Sequence, residues 1–120
     1  MDKDTTIQQM KEKIKRFCDD REWDKYHSAK ELAVSLIIEA GELLEHFQWK
    51  DDKQVAEMLA DEKKHEDICE EMVDILYYIL RLAQKYNIDL SEAFERKMAK
   101  NEKKYPVEKA KGINKKYNEL

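Results

Sequence analysis

The sequence predicts an all-α protein. Gly and Pro together number only three of the 120 residues, so few residues interrupt a helix. Apolar residues recur every three or four positions over long stretches, which is the period of an amphipathic helix. Apolar residues make up 42% of the chain, too many for a disordered acidic chain. The length predicts one domain, and small helical chains often complete their cores by forming oligomers.

Composition narrows the class of protein. The net charge is −4, and acidic and basic residues are mixed along the chain, which argues against a nucleic-acid-binding surface. Cys18 and Cys69 lack the spacing of a metal or redox motif, so both are predicted to be reduced core residues. The first residues lack the order of a signal peptide, and no apolar run has the length of a membrane span. We therefore expect a soluble, cytoplasmic protein.

Capping residues mark the predicted helix boundaries. They place a first helix after Thr5 and Thr6, a second from Ser28 to about Trp49, a short amphipathic piece over 51–59, a long helix from Asp61 to about Tyr86, and a last helix from 89 to Pro106. Residues 1–106 are the predicted domain. Residues 107–120 are predicted to be a polar, Lys-rich tail that is mobile or lies along a neighbouring subunit.

Two pairs of acidic residues lie within the longest helical patterns. Glu39 and Glu42 are three apart in the first pattern, and Glu71 and Asp74 are three apart in the second. With 27 acidic residues in the chain, roughly six such pairs are expected by chance. Spacing alone therefore leaves a solvated helix face as the simplest interpretation of each pair.

The position of the pairs around each helix is more informative. At about 100° per residue, the apolar residues of the first helix fill an arc from roughly 20° to 160° from Glu39, and Glu42 lies about 60° outside the border that Glu39 marks. The second helix repeats this arrangement around Glu71 and Asp74. If the two apolar arcs pack against each other, the four carboxylates converge, and a divalent cation with oxygen ligands would relieve their repulsion. Neither pair includes a histidine, which favours Mg²⁺, with Mn²⁺ as a substitute, over zinc or iron.

An aromatic connector lies between the first two helices. It reads Trp23-Asp24-Lys25-Tyr26-His27, and connectors of this kind often contact ligands. As a single residue, Trp23 is better interpreted as packing between helices.

These motifs together resemble a known family. Glu39-x-x-Glu42, a gap of 28 residues and Glu71-x-x-Asp74 resemble the signature of the MazG-like, all-α nucleoside triphosphate pyrophosphohydrolases. Three further segments are similar to the dCTP pyrophosphatase branch, and the resemblance covers roughly residues 7–107. These segments are Arg21-Glu22-Trp23 with His27, Gly41-Glu42-Leu43 with Phe47-Gln48-Trp49, and Lys97-Met98-Ala99-Lys100-Asn101 with Lys104-Tyr105-Pro106-Val107.

The resemblance implies a fold, a reaction and a set of site residues. It implies a four-helix bundle completed by a second chain, as a homo-oligomeric dimer or tetramer. It implies Mg²⁺-dependent hydrolysis of a nucleoside triphosphate to the monophosphate and pyrophosphate, with dCTP or a modified dCTP as the preferred substrate. The implied metal ligands and catalytic residues are Glu39, Glu42, Glu71 and Asp74. The implied substrate contacts are Trp23, His27, Trp49, Tyr78, Lys97, Asn101, Lys104 and Tyr105.

Two alternatives stay open at this point. One is an enzyme of the same superfamily that acts on dUTP or a damaged purine nucleotide. The other is a non-catalytic helical oligomer whose acidic residues are solvated or bind a structural cation.

Overall fold

The computed structural model describes all 120 residues and contains six α-helices and no strand. The prediction of an all-α protein is confirmed. None of the helices has the length and apolar composition that a membrane span requires. The α-helices are α1 (Ile7–Asp20), α2 (Ala29–Glu45), α3 (Asp52–Ala60), α4 (Glu62–Lys85), α5 (Leu90–Lys104) and α6 (Val107–Ala110), and short 3-10 helices cover Asp2–Asp4, Asp24–Tyr26 and Tyr117–Glu119.

Polar caps fix the helix starts close to where the sequence predicts them. Thr6 and Gln9 form a complete capping box at α1, with side-chain to backbone distances of 3.1 and 2.8 Å. The Ser28 hydroxyl accepts a hydrogen bond from the backbone N–H of Glu31 at α2. Asp61 is both the C-cap of α3 and the N-cap of α4. Each cap satisfies a backbone N–H that has no partner within its own helix.

The predicted end of α2 near Trp49 is wrong. The α-helix ends at Glu45, and the next residues form tighter bonds to the third residue before them, such as Phe47 N–H to the Leu44 carbonyl at 2.9 Å. Trp49 then adopts a left-handed backbone conformation with φ of 65°. A right-handed helix cannot continue through such a residue.

The chain divides into two compact units, Met1–Asn87 and Ile88–Leu120. In the first unit, α4 packs against α1, α2 and α3. The phenol of Tyr86, which ends α4, accepts a hydrogen bond from the Ala29 N–H at the start of α2. The first unit is therefore built around α4. Its buried apolar residues are Cys18, Leu32, Met58, Ile68, Leu80 and Ala83.

The apolar arcs of α2 and α4 are wider than the surface that the chain itself covers. Ile37 is 68% exposed, Leu44 is 69% exposed and Met72 is 57% exposed. Isolated apolar residues on a surface are ordinary, but large side chains grouped along two helices are not. Cys69 also lies at the outer edge of the arc of α4 and is exposed, so its prediction as a core residue is wrong.

The second unit contains α5 and the residues that follow it. Asp89 caps α5 by accepting a hydrogen bond from the Glu92 N–H. Residues 107–120 include α6 and the last 3-10 helix, and Gly112 has φ of 77°. The ring of Tyr117 packs edge-on against Tyr105, with ring centroids 6.3 Å apart, and the Lys104 ammonium lies 4.8 Å from the Tyr117 centroid. The tail therefore turns back to the end of α5.

Replacing the shared cap Asp61 by alanine should lower the free energy of unfolding by about 1 kcal/mol, because the Lys64 N–H would lose its acceptor. Urea denaturation measures this value. Glu57→Ala, an exposed change within α3, is the control and should stay within about 0.5 kcal/mol of the wild type. Equal effects of the two changes would contradict the capping role.

Candidate functional site

The packing of α2 against α4 brings three predicted acidic residues together. Glu39, Glu42 and Glu71 each contribute a carboxylate oxygen to a group in which all three atoms lie within 4.8 Å of one another. We call these residues the acidic cluster. Asp74 is outside this group, but its charge raises the pKa of both Glu39 and Glu71. The fourth predicted ligand therefore lies beside the cluster rather than within it.

The acidic cluster contains buried oxygen atoms without partners. One oxygen of Glu39 and one of Glu71, the Oε2 atom in each case, are buried and accept no hydrogen bond. Burial, followed by the hydrogen bond with Glu42 and the charges of Glu42, Asp74 and Glu71, raises the pKa of Glu39 to about 7. Burial and the neighbouring carboxylates also raise the pKa of Glu71. A buried polar atom without a partner is costly, so the cluster needs a proton or a cation.

The donor set of the cluster fits a hard divalent cation. All three groups are carboxylates from helices, and such oxygen ligands suit Mg²⁺ or Mn²⁺. A cation would satisfy both unpartnered oxygens and reduce the repulsion that raises the pKa values. His46 lies beside the cluster, with Nε2 4.0 Å from a carboxylate oxygen of Glu71, but it is not a member of the group of three carboxylates. The cluster therefore supports a divalent metal site of oxygen ligands.

An aromatic cavity of about 470 Å³ adjoins the acidic cluster. Its rings pack edge to face, with Phe17 5.6 Å from Trp23 and 6.2 Å from Tyr77 between centroids. Three predicted substrate contacts, Trp23, His27 and Tyr78, lie in its wall together with two predicted metal ligands. The cavity is lined by Lys13, Ile14, Phe17, Trp23, His27, Glu39, Asp74, Tyr77 and Tyr78.

A second cavity of about 460 Å³ borders the acidic cluster. Glu42 and Glu71 line it, whereas Glu39 and Asp74 line the aromatic cavity. The second cavity also contains cationic side chains from two segments, Lys50 before α3 and Lys64 in the first turns of α4. The acidic cluster is thus bordered by one mainly aromatic cavity and one charged cavity.

Comparisons with known proteins show the family to which this chain belongs. The model of the MazG-like family matches residues 34–120, which include both acidic pairs. The chain belongs to the MazG-like family. It is similar to dCTP pyrophosphatase 1 from Mus musculus, with 33% identity over 115 residues that cover 96% of this chain and 68% of the relative. The protein of the same name from Homo sapiens is 32% identical over the same coverage.

A solved structure is also similar. The crystal structure of a pyrophosphatase from Archaeoglobus fulgidus is 45% identical, with a TM-score of 0.74 over 79% of this chain and 87% of that chain. These comparisons confirm the resemblance that the sequence motifs indicate, and they confirm membership of a nucleotide pyrophosphohydrolase family.

Five other predicted substrate contacts of this MazG-like chain are not among the residues that line the two cavities. Trp49 is 89% exposed in the turn after α2 and lines neither cavity. The others belong to the second unit, where Asn101 is half-buried and accepts, through its backbone carbonyl, a hydrogen bond from the N–H of Tyr105. The four residues of the second unit are Lys97, Asn101, Lys104 and Tyr105. The substrate roles of all five residues stay predictions.

Several residues of the first unit were not predicted from the sequence. Tyr77 lines the aromatic cavity, and Arg81 and Lys85 hold the connector that carries Trp23 and His27. Asp74, Tyr77, Arg81 and Lys85 are separated by three or four positions, which places them along one side of α4. That spacing is visible in the sequence and could have identified them.

Glu39→Gln should change how stability depends on pH in metal-free protein. A carboxyl whose pKa rises on folding binds more protons in the folded state, so it destabilises the protein as pH increases from about 4.5 to about 7. Glutamine does not titrate, so the variant does not lose this part of its stability as pH increases. The difference in melting temperature, variant minus wild type, should therefore grow over this pH range.

Thermal melts in the presence of a chelator measure that difference. His27 acts in the opposite direction, because its lowered pKa increases stability with rising pH, but it is present in both proteins and cancels. Glu66→Gln, on an exposed part of α4, should show no pH trend. A difference that stays constant with pH would contradict the burial and crowding of Glu39.

Proposed function

We propose that this chain is a Mg²⁺-dependent nucleotide pyrophosphohydrolase that converts a deoxynucleoside triphosphate to the monophosphate and pyrophosphate. The observation that carries the proposal is the acidic cluster, with two unpartnered buried oxygens, at the wall of an aromatic cavity. A nucleotide has one end that stacks on aromatic rings and another that needs a cation. The aromatic cavity suits the first end, and the acidic cluster beside it suits the second.

In this proposal Glu39, Glu42, Glu71 and Asp74 hold Mg²⁺, with Mn²⁺ as a substitute. The bound ion would neutralise phosphate charge and lower the pKa of a water molecule. The helices α2 and α4 fix the carboxylates in advance, so little reorganisation is needed when the substrate arrives. A carboxylate of this set also serves as the acceptor for the proton that the attacking water loses.

The nucleoside occupies the aromatic cavity. Trp23 and Tyr78 supply flat surfaces for the base, and His27 supplies a hydrogen bond. Because the named relatives are dCTP pyrophosphatases, dCTP or a modified dCTP is the proposed substrate. Trp49 and Asn101 are proposed as further base contacts, and Tyr105 as a further substrate contact.

Lysines are proposed to bind the phosphates. Lys97 and Lys104 are the contacts that the family resemblance implies. Lys50 and Lys64 line the charged cavity beside Glu42 and Glu71, where the released pyrophosphate would need positive charge after separating from the nucleoside. Lysine side chains act there as mobile point charges.

The proposed assembly is a homo-oligomer, either a dimer or a tetramer. The exposed parts of the apolar arcs on α2 and α4, including Ile37, Leu44 and Met72, suit burial against a second copy of the chain. A cytoplasmic location, where nucleotide pools occur, remains a prediction.

A panel of deoxynucleoside triphosphates tests the reaction. Pyrophosphate release should require Mg²⁺ and be greatest with dCTP or a modified dCTP. Preference for dUTP or a damaged purine nucleotide would support the alternative enzyme of the same superfamily. Release of orthophosphate would contradict cleavage between the α- and β-phosphates, and no turnover would support a non-catalytic oligomer.

Glu39→Gln and Glu71→Gln should each lower kcat at least about 100-fold, because losing a ligand charge removes transition-state stabilisation. The same pyrophosphate assay and a circular dichroism spectrum measure activity and folding. Glu66→Gln makes the same chemical change away from the cluster and should keep near wild-type activity. Near-normal turnover by either cluster variant would contradict the metal assignment.

Ile37→Glu should shift the protein to a smaller oligomer, because a charge would be buried in an apolar interface. Light scattering coupled to size-exclusion chromatography measures the mass. Lys30→Glu is the matched control, since it introduces the same group on an exposed part of α2. A monomeric wild type at micromolar concentration would contradict the proposed assembly.

A further inference from the structure

Arg81 is a buried cation whose role the acidic cluster does not explain. Its side chain is 1% exposed, and every nitrogen of its guanidinium donates a hydrogen bond. Nε donates to His27 Nδ1 at 3.0 Å, one terminal nitrogen to Gln84 Oε1 at 2.5 Å, and the other to Asp24 Oδ1 at 3.0 Å. Burying a charge is costly unless its partners are fixed, so this geometry is strongly determined.

Lys85 holds the same connector from the next turn of α4. Its ammonium donates to the backbone carbonyls of Asp24 and His27, at 2.8 and 2.6 Å, and lies 3.2 Å from the Asp24 carboxylate. The hydrogen bond and charge of Lys85, with the charge of Arg81, lower the pKa of Asp24 below its usual value. Both ends of the 3-10 turn are therefore attached to a rigid helix.

The contact with Arg81 determines the protonation of His27. A guanidinium nitrogen can only donate, so Nδ1 of His27 must accept and carries no proton. Burial and the charges of Arg81 and Lys85 lower the pKa of His27, against a smaller opposing effect of Asp24. The neutral ring then carries its one proton on Nε2. His27 lines the aromatic cavity, and Nε2–H is the polar group it has left for a ligand.

We propose that Arg81 is a positioning residue that fixes His27 as an Nε2–H hydrogen-bond donor, so that the aromatic cavity selects bases presenting an acceptor atom. This proposal rests on the proposed function, because it concerns the nucleotide of that reaction. The chemical class it selects is a nucleobase with a carbonyl oxygen or a ring nitrogen lone pair at the edge facing His27. Trp23 can stack on any base, whereas the hydrogen-bond donor of His27 discriminates between bases.

The first measurement is nuclear magnetic resonance of the ¹⁵N-labelled full chain, which needs no turnover. Long-range ¹H–¹⁵N correlations should show His27 as a single neutral Nε2–H tautomer near neutral pH. Adding dCMP should shift the Nε2 resonance. A protonated ring, an Nδ1–H tautomer or an unchanged Nε2 resonance at saturating dCMP would overturn the proposal, even if the protein proved to be inactive.

The second measurement separates positioning from general stability. Arg81→Met should give mixed tautomers and raise KM for the preferred triphosphate up to about fivefold, with a much smaller change in kcat, because one donated hydrogen bond is worth about 1 kcal/mol. Gln84→Ala is the matched control. It removes a partner of Arg81 other than His27, and it should leave the tautomer and KM unchanged.

A pair of His27 variants keeps the test valid if Arg81→Met fails to fold. His27→Gln retains an amide donor near the position of Nε2, whereas His27→Leu retains none. KM should rise about tenfold in the leucine variant and about threefold or less in the glutamine variant. Equal KM values in the two variants would overturn the donor role, while pyrophosphate release by the wild type would still support the proposed function.

Discussion

The packing of α2 against α4 is the constraint on which the rest of the site depends. Apolar contacts bring the helices together, and the same contacts bring three glutamates within 4.8 Å of one another. Hydrophobic burial depends on the apolar area removed from water and not on direction. The packing of α2 against α4 can therefore outweigh the repulsion between the carboxylates. The raised pKa of Glu39, about 7, reflects that repulsion and the burial of the group. The fold therefore stores unfavourable electrostatic energy at the place where a cation is proposed to bind.

Buried charge is used in a second way around Arg81. At the acidic cluster, like charges converge and two oxygens lack partners, so the site is completed only by a proton or a cation. At Arg81, every guanidinium nitrogen already has a partner, so the arrangement is complete without a ligand. This difference separates a binding site from a positioning network, although α4 contributes residues to both. A fully satisfied network confers rigidity, whereas an unsatisfied one favours binding.

Much of this site could be predicted because helical periodicity relates sequence to position directly. Glu39 and Glu71 occupy equivalent borders of two apolar arcs, and packing through those arcs leaves few other arrangements. The contact between Arg81 and His27 could not be predicted in the same way. It joins residues 54 positions apart through a connector without a period, and its geometry depends on the path of the 3-10 turn. The end of α2 was missed because the left-handed conformation of Trp49 has no signal such as glycine in the sequence.

Exposure of apolar side chains could be predicted least, because it depends on what covers each arc rather than on the arc itself. A helical wheel places Leu32 and Ile37 at the two ends of one apolar arc, yet Leu32 is 1% exposed and Ile37 is 68% exposed. Leu32 belongs to the buried core of the first unit, whereas the side of α2 that carries Ile37 is not covered by the first unit. The width of an apolar arc therefore indicates the total apolar surface that needs a packing partner. The structure then shows which residues of the arc are buried and which remain exposed. The remainder is where a second copy would contribute most to stability.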